Sequence, residues 1–300
     1  GAHRGGTHRH EYTLDGKRIG FTYDDFLLPE YGRTIGYMEP HPQAPEPASH
    51  YFVLLVSVVP GGTAESGEIE TALGDSWVGR HGHMRAFIGK VRNEDGETYE
   101  QSLFVVDVPE DIDVTTADSG TAERFPTPPE GLSVRRLTHT WASGVVRGTP
   151  DGGRIAYYAK DEEGVTQIFV IDSDGSDQAE DPAKHPVQAT HFEKGTESGL
   201  RWHPSGNTVF CFSDNGVAAT CVAPGKRFGE TIFLTPRGDA PARTNLVVSP
   251  DGTMLAYNKS TPTIDKDGHR AVNYAGDDFL QVFVIAFPDA NGNGIADAVE

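Results

Sequence analysis

The stretch RGGTHRHEYTLDGKRIGFTYDD, residues 4–25, joins a polar lead-in to an Asp-Gly turn and then to an alternating apolar run. The same turn-and-strand pattern returns as TPDGGRIAYYAKD (149–161), HPSGNTVFCFSDN (203–215) and SPDGTMLAYNKST (249–261). In each copy the Gly of the Asp-Gly or Ser-Gly pair accepts positive φ without steric cost, so the chain can reverse sharply. Ile19, Phe21 and Tyr23, like Ile155 and Tyr157 or Leu255 and Tyr257, then alternate with the period of a half-buried strand. The last three turns, at Asp151, Ser205 and Asp251, lie about 46 to 54 residues apart, roughly the length of one four-stranded propeller blade. Only the first copy places His at two alternate positions before its turn, His8 and His10.

Composition narrows the functional classes. With 300 residues and 37% apolar content the chain can bury a sizeable core. Acidic residues outnumber basic ones by 44 to 25, for a formal charge of −19, and such a surface repels a phosphate backbone. No nucleic-acid partner is expected. The longest apolar run, 51–59, is strand-sized, so no membrane span is expected either. The opening GAHRGG reads as a cut, which leaves any targeting segment unobservable. Two cysteines flank a turn at 214–216; a two-residue Asn-Gly loop would put Cys211 opposite Thr220 and Cys221 on the other sheet face, and a three-residue loop would put both on one face. Buried free thiols are the favoured reading.

Five blade-like units follow one another. The first holds strands at 17–23, 33–38 and 51–59 around the Pro-rich loop 39–50. The second lacks the Asp-Gly turn but keeps strands at 85–91 and 102–108, and 109–135 reads as a surface excursion. The third is the clearest, and the fourth and fifth, starting near Gly199 and Asn245, repeat its order. Short, evenly spaced strands without helical periodicity predict an all-β propeller of four-stranded blades over residues 1–288. About five blades are visible of an expected six to eight, so the propeller is expected to be partial.

The Asp-Gly turns followed by alternating strands resemble the TolB-type propeller repeat. More narrowly, the 4–25 stretch, AFIGKV (86–91), the run 137–171 and GLRWHPSGNTVF (199–210) resemble the YidR-like bacterial proteins, in the same order over most of residues 4–288. That family carries no established activity. A more distant similarity is to the oligogalacturonate lyases, TolB-like propellers in which a Gln and a His-x-His pair before a blade turn bind a divalent metal. His8 and His10 match that pair, and Gly5 stands where the Gln would be.

Read from the residues alone, alternate strand positions share one side, so His8 and His10 could offer two imidazoles to Zn, Mn or Ni. Further ligands are expected from Glu11, or from His81 and His83 of a second His-x-His. The plainer reading is a pair of hydrogen-bonded histidines at a blade top. Aligning the turns puts Glu11, Arg147, Arg201 and Val247 at one position, four residues before the turn's Asp or Ser. In a propeller this strand is innermost, so Arg147 and Arg201 would line the central channel and could fork onto a carboxylate such as a uronate. Pairing of these arginines with Glu11 or Glu197 is the competing expectation. His203, at the place of Ser249 in the last repeat, reads as a turn cap.

The tail DANGNGIADAVE (289–300) follows the twelve-residue calcium-loop pattern, with Asp289, Asn291, Asn293, Ile295 through its carbonyl, Asp297 and Glu300 as ligands and Gly294 for the sharp turn. Bound Ca2+ is expected there. The functional expectation is a periplasmic or secreted propeller that binds an anionic oligosaccharide or a protein or peptide partner at its channel. Two alternatives stand beside it, a metal-dependent uronate lyase and a protein-interaction scaffold. Whether the chain is an enzyme is left open.

Overall fold

The computed structural model describes residues 4–196, 198–238 and 240–287. Apart from two short 3-10 turns, Val114–Thr116 and Pro182–Lys184, its regular structure is β. The first sheet is β1 (Gly5–Tyr12), β2 (Ile19–Asp25), β3 (Thr34–Pro40) and β4 (His50–Leu54), paired in chain order. The second repeats that order with β5 (Ile69–Trp77), β6 (Met84–Arg92), β7 (Tyr99–Asp107) and β8 (Ser133–Arg136). The third comprises β9 (Ala142–Gly148), β10 (Arg154–Lys160), β11 (Thr166–Asp172) and β12 (Val187–Gln188). The fourth is β13 (Ser198–Trp202), β14 (Thr208–Ser213), β15 (Gly216–Cys221) and β16 (Thr231–Phe233). In the fifth, β17 (Arg243–Val248) and β18 (Met254–Ser260) are followed by a separate hairpin, β19 (Thr263–Ile264) with β20 (Arg270–Ala271). Strand β21 (Leu280–Ala286) then returns to pair with β18, so this sheet has three strands.

The described residues divide into two compact units, one within Gly1–Lys160 and Phe169–Val187, the other within Asp161–Ile168 and Gln188–Glu300. The repeated turns share one set of bonds. Thr13 Oγ1 donates to Asp15 at 2.6 Å, Thr149 to Asp151 at 2.5 Å and Ser249 to Asp251 at 2.5 Å. Each Asp then accepts the backbone N–H two residues on, as at Lys17, Gly153 and Thr253, which is how a short polar side chain fixes a turn. His203 takes the hydroxyl's place: its Nδ1 lies 2.8 Å from Ser205 Oγ and accepts the Ser205 N–H at 3.2 Å.

In the first unit, Phe21, Tyr37, Trp77, Phe87 and Phe104 belong to one core of the first two sheets, and Ile88, Leu103, Ile155 and Tyr157 to a second core of the second and third sheets. The 109–135 segment is more than a surface excursion. It carries Phe125, 5% exposed, onto Tyr31 (4.3 Å, stacked) and Tyr23 (6.4 Å, edge-on), closing over the first sheet. In the second unit Phe210, Phe212, Leu255 and Tyr257 form the core of the fourth and fifth sheets.

Between β14 and β15 the loop is Asp214-Asn215, both at positive φ, and Ser213 pairs with Gly216. Cys211 therefore stands opposite Ala218, not the expected Thr220. The difference arises because Asp and Asn both tolerate the left-handed region, so the turn centres one residue earlier than an Asn-Gly loop. Cys221 still falls on the other face, opposite Thr208, and both thiols are free.

Candidate ligand site on the first strands

The first strand of each of the five larger sheets breaks register in a β-bulge that re-aims its side chains, with two residues opposing one in four of them and three opposing one in the third. The register breaks fall between His8 and Glu11, Leu73 and Ser76, Ser143 and Arg147, Ser198 and Arg201, and Thr244 and Val247. Each break contains one residue at positive φ: Arg9, Gly74, Gly144, Gly199 and Asn245. Gly and Asn suit that conformation, whereas Arg strains it by roughly 1–2 kcal/mol. Arg9 has φ 55° and is exposed, with His8 and His10 on either side. The bulge was not foreseen from the sequence, although the Gly or Asn six or seven residues before the last three repeated turns was its visible signal.

Beyond its bulge, β1 presents Glu11 to the neighbouring first strand. Its carboxylate accepts from Ser76 Oγ and from the Trp77 N–H, both at 2.8 Å, and from Arg85 Nη1 at 3.2 Å. Arg147 Nη1 on β9 lies 3.8 Å from the other oxygen. Arg85 is fully buried, donates from Nε to Asp75 at 2.6 Å and stacks 4.5 Å over Trp77. It lies so flat against Gly20 that a Cβ there would sit 2.0 Å from its Nη1. Asp75 is fully buried too and accepts from Thr22 Oγ1 at 2.9 Å. Burial pulls the Arg147 guanidinium below its ordinary value while the Glu11 carboxylate opposes that. The aligned positions thus do meet where Glu11 and Arg147 are concerned, as an ion pair. Arg201, on β13 of the second unit, bonds the Leu200 carbonyl at 2.7 Å.

The four histidines expected as metal ligands fall into two separate settings. His8 Nδ1 lies 3.6 Å from Asp24, and His10 Nε2 is 3.0 Å from Thr7 Oγ1. Because the bulge interrupts the alternation, His8 and His10 do not occupy simple alternate positions of a regular strand. His81 instead bonds Asp15, in the turn beyond β1, at 3.0 Å, and its ring lies 5.9 Å from that of His83. Those two line a polar cavity of about 520 Å³ with Asp15, Lys17, Arg18, Glu39 and Glu110. The Thr13 hydroxyl first, then His81, holds the Asp15 carboxyl well below the usual range. Among the described residues no three His, Cys, Asp or Glu side chains are arranged to hold a metal. The calcium-loop residues Asp289, Asn291, Asn293, Ile295, Asp297 and Glu300 lie outside the described residues.

Comparison with known proteins fits this architecture. The fold matches TolB of Acinetobacter baumannii with a TM-score of 0.50 at 16% identity, over 90% of this chain and 54% of that one. A protein of Agrobacterium tumefaciens provisionally assigned as TolB matches equally, TM-score 0.50 at 15% identity, over 95% of this chain and 91% of that one. Over the described residues the fold is an all-β, TolB-like propeller of five blades. Its sequence is 32% identical over 287 residues to the uncharacterized protein YidR of Escherichia coli K12, covering 86% of this chain. Residues 1–42 match a family described as "Protein of unknown function (DUF3748)". The resemblance to the YidR-like proteins therefore holds over most of the chain, which spans 65% of YidR's own length. No helix among the described residues is long and apolar enough to cross a membrane.

Proposed function

We propose that this propeller is a binding protein for an anionic oligosaccharide, whose carboxylate is received by His8, Arg9 and His10 at the bulge of β1. The observation that carries the reading is Arg9, an exposed residue at φ 55° where the other four first strands have Gly or Asn. Backbone strain at one repeat alone is favoured only where the side chain has a use. Arg9 is a cation on a chain of net charge −19, the Asp24 carboxylate 3.6 Å from His8 is itself paired with Arg33, and guanidinium groups match carboxylates bidentately. Glu11 does not oppose it, because its own charge is taken up by Arg85 and Arg147.

The test is calorimetric titration with oligogalacturonate as probe, for the wild type and for Arg9→Gly. Gly keeps the bulge and removes the strain, so the variant unfolds at higher denaturant by a few tenths to about 1 kcal/mol. It binds the probe at least tenfold more weakly. Arg9→Lys retains part of the affinity. If the wild type takes up no anionic oligosaccharide, or Arg9→Gly binds as the wild type does, the reading fails. A stabilised variant that no longer binds has no explanation in folding alone.

A further inference from the structure

Within the first unit, β8, the start of β5, the end of β6 and residues 127–132 bound a cavity of about 760 Å³. Ligand pockets usually hold about 300–1,000 Å³. Its floor is aliphatic apart from one ring: Leu55, Val56, Ile69, Val91 and Phe104, all core residues of the first two sheets. Leu132 and the Pro128-Pro129 pair extend this apolar lining from the 109–135 segment. On β8, Val134 pairs with Val106 and Arg136 with Phe104, so Val134 and Arg136 share a face with that ring. Val134 lines the cavity while remaining 43% exposed.

Arg92 and Arg136 line the same cavity, and among the described residues neither has an anionic partner. Arg136 donates from Nε to the Thr138 carbonyl at 2.9 Å and from Nη2 to Asn93 Oδ1 and Ser102 Oγ at 3.2 and 2.8 Å. Its Nη1 is left without a partner among the described residues. Arg92 donates from Nε and Nη2 to the Gly96 carbonyl and from Nη1 to the Tyr99 oxygen at 3.0 Å. Every one of these acceptors is neutral. Elsewhere in the unit Arg135 pairs with Asp107, Arg18 with Glu39 and Arg4 with Asp25. Both cavity arginines are half-buried, whereas the carboxylates beside them, Glu68, Glu94 and Glu130, are exposed. Burial pulls the Arg136 guanidinium below its ordinary value, and Asp177, Glu100 and Glu94 oppose this from beyond ion-pair distance. A guanidinium stays charged nonetheless, so an anion entering the cavity meets a cation that solvent screens only in part.

We propose that this cavity binds a carboxylate carrying an aliphatic chain, the carboxylate at Arg136 and Arg92 and the chain along Leu55, Val56, Ile69 and Val91. It shares no residue with the oligosaccharide site on β1, so either can fail alone. The test is calorimetric titration with decanoate at neutral pH. The wild type takes up decanoate, and butyrate and decan-1-ol bind at least tenfold more weakly, since one lacks the chain and the other the charge. Arg136→Gln, with circular dichroism as the folding control, weakens decanoate binding at least tenfold. Val134→Glu, at a position already exposed, adds a carboxylate to the lining without removing any Arg136 bond, and weakens binding by a similar factor. It decides the matter should Arg136→Gln not fold. The proposal is overturned if the wild type takes up no decanoate, or if butyrate or decan-1-ol binds as tightly. Either folded variant binding decanoate as the wild type does also overturns it, because Arg136 is then a clamp on Asn93, Ser102 and Thr138 alone.

Discussion

Replacing Arg85 by Met probes the buried charges that tie the first two sheets together. The Met side chain fills most of the space between Gly20 and Trp77, so the loss of packing is small. What remains is a stranded Asp75, fully buried and left with the Thr22 hydroxyl as its side-chain donor, beside a Glu11 that has lost one of its cations. Breaking a buried pair in this way costs about 3–5 kcal/mol. Urea unfolding followed by tryptophan fluorescence and far-ultraviolet circular dichroism measures it, and Asp75→Asn combined with Arg85→Met should recover most of the loss. A cost below about 1 kcal/mol at pH 7, or a double variant no better than the single, would refute the assignment of this cluster as a mutually neutralised unit.

Three further outcomes are expected. Phe125→Ala should cost about 3–5 kcal/mol, as for a buried aromatic, whereas a true surface loop would lose under about 0.5 kcal/mol in the same urea titration. Burial first of all holds the His203 imidazole below its ordinary value, only partly offset by the Gly252 carbonyl, so the folded ring stays neutral in a range where the unfolded one protonates. Stability should fall as the pH drops below about 6.5, and His203→Ser, the residue of the last repeat, should flatten that slope in melts between pH 5 and 7.5; an unchanged slope would refute it. Burial pushes the Cys211 thiol up to about 12, so a thiol reagent at pH 8 should label it only after denaturation, and rapid native labelling at Cys211 on peptide mapping would contradict this.

The repeating turns were legible because their determinants are local. A Thr or Ser, an Asp two residues on and a Gly are enough to close each turn, and the same bonds recur wherever those residues recur. Strand β5 escaped the sequence reading for the opposite reason. IETALGDSW is buried along most of its length, and its Glu70, Asp75 and Ser76 are interior residues whose partners, Lys90, Arg85 and Glu11, come from other strands. No period of two survives when both faces are inside and three of the seven buried positions are polar. Strand β8, four residues long with exposed Ser133 and Val134, offers little pattern at all. The 109–135 segment misled because its Pro, Thr and Glu content is that of a surface loop, while a few scattered apolar residues, Val114 and Phe125 with Ile112, Ala117 and Leu132, do the packing.

The site divides along the same line. Aligning turns was enough to bring Glu11 and Arg147 to one place, since the repeat fixes their height on the first strand. It could not foresee that Ser76, Trp77 and Arg85 would saturate Glu11, because those bonds depend on how β5 and β6 approach β1. Nor could alternation predict the bulge that separates His8 from Glu11, although it alters which side chains share a face. The physical consequence is a transfer of attention from the histidines to the residue between them. A hydrogen-bonded His at a strand end is unremarkable, whereas an Arg held left-handed and exposed at a position otherwise given to Gly or Asn is a departure from the repeat with a measurable cost. Departures of that kind, rather than the motif shared by every blade, are where a repeat protein can carry a function belonging to one blade alone.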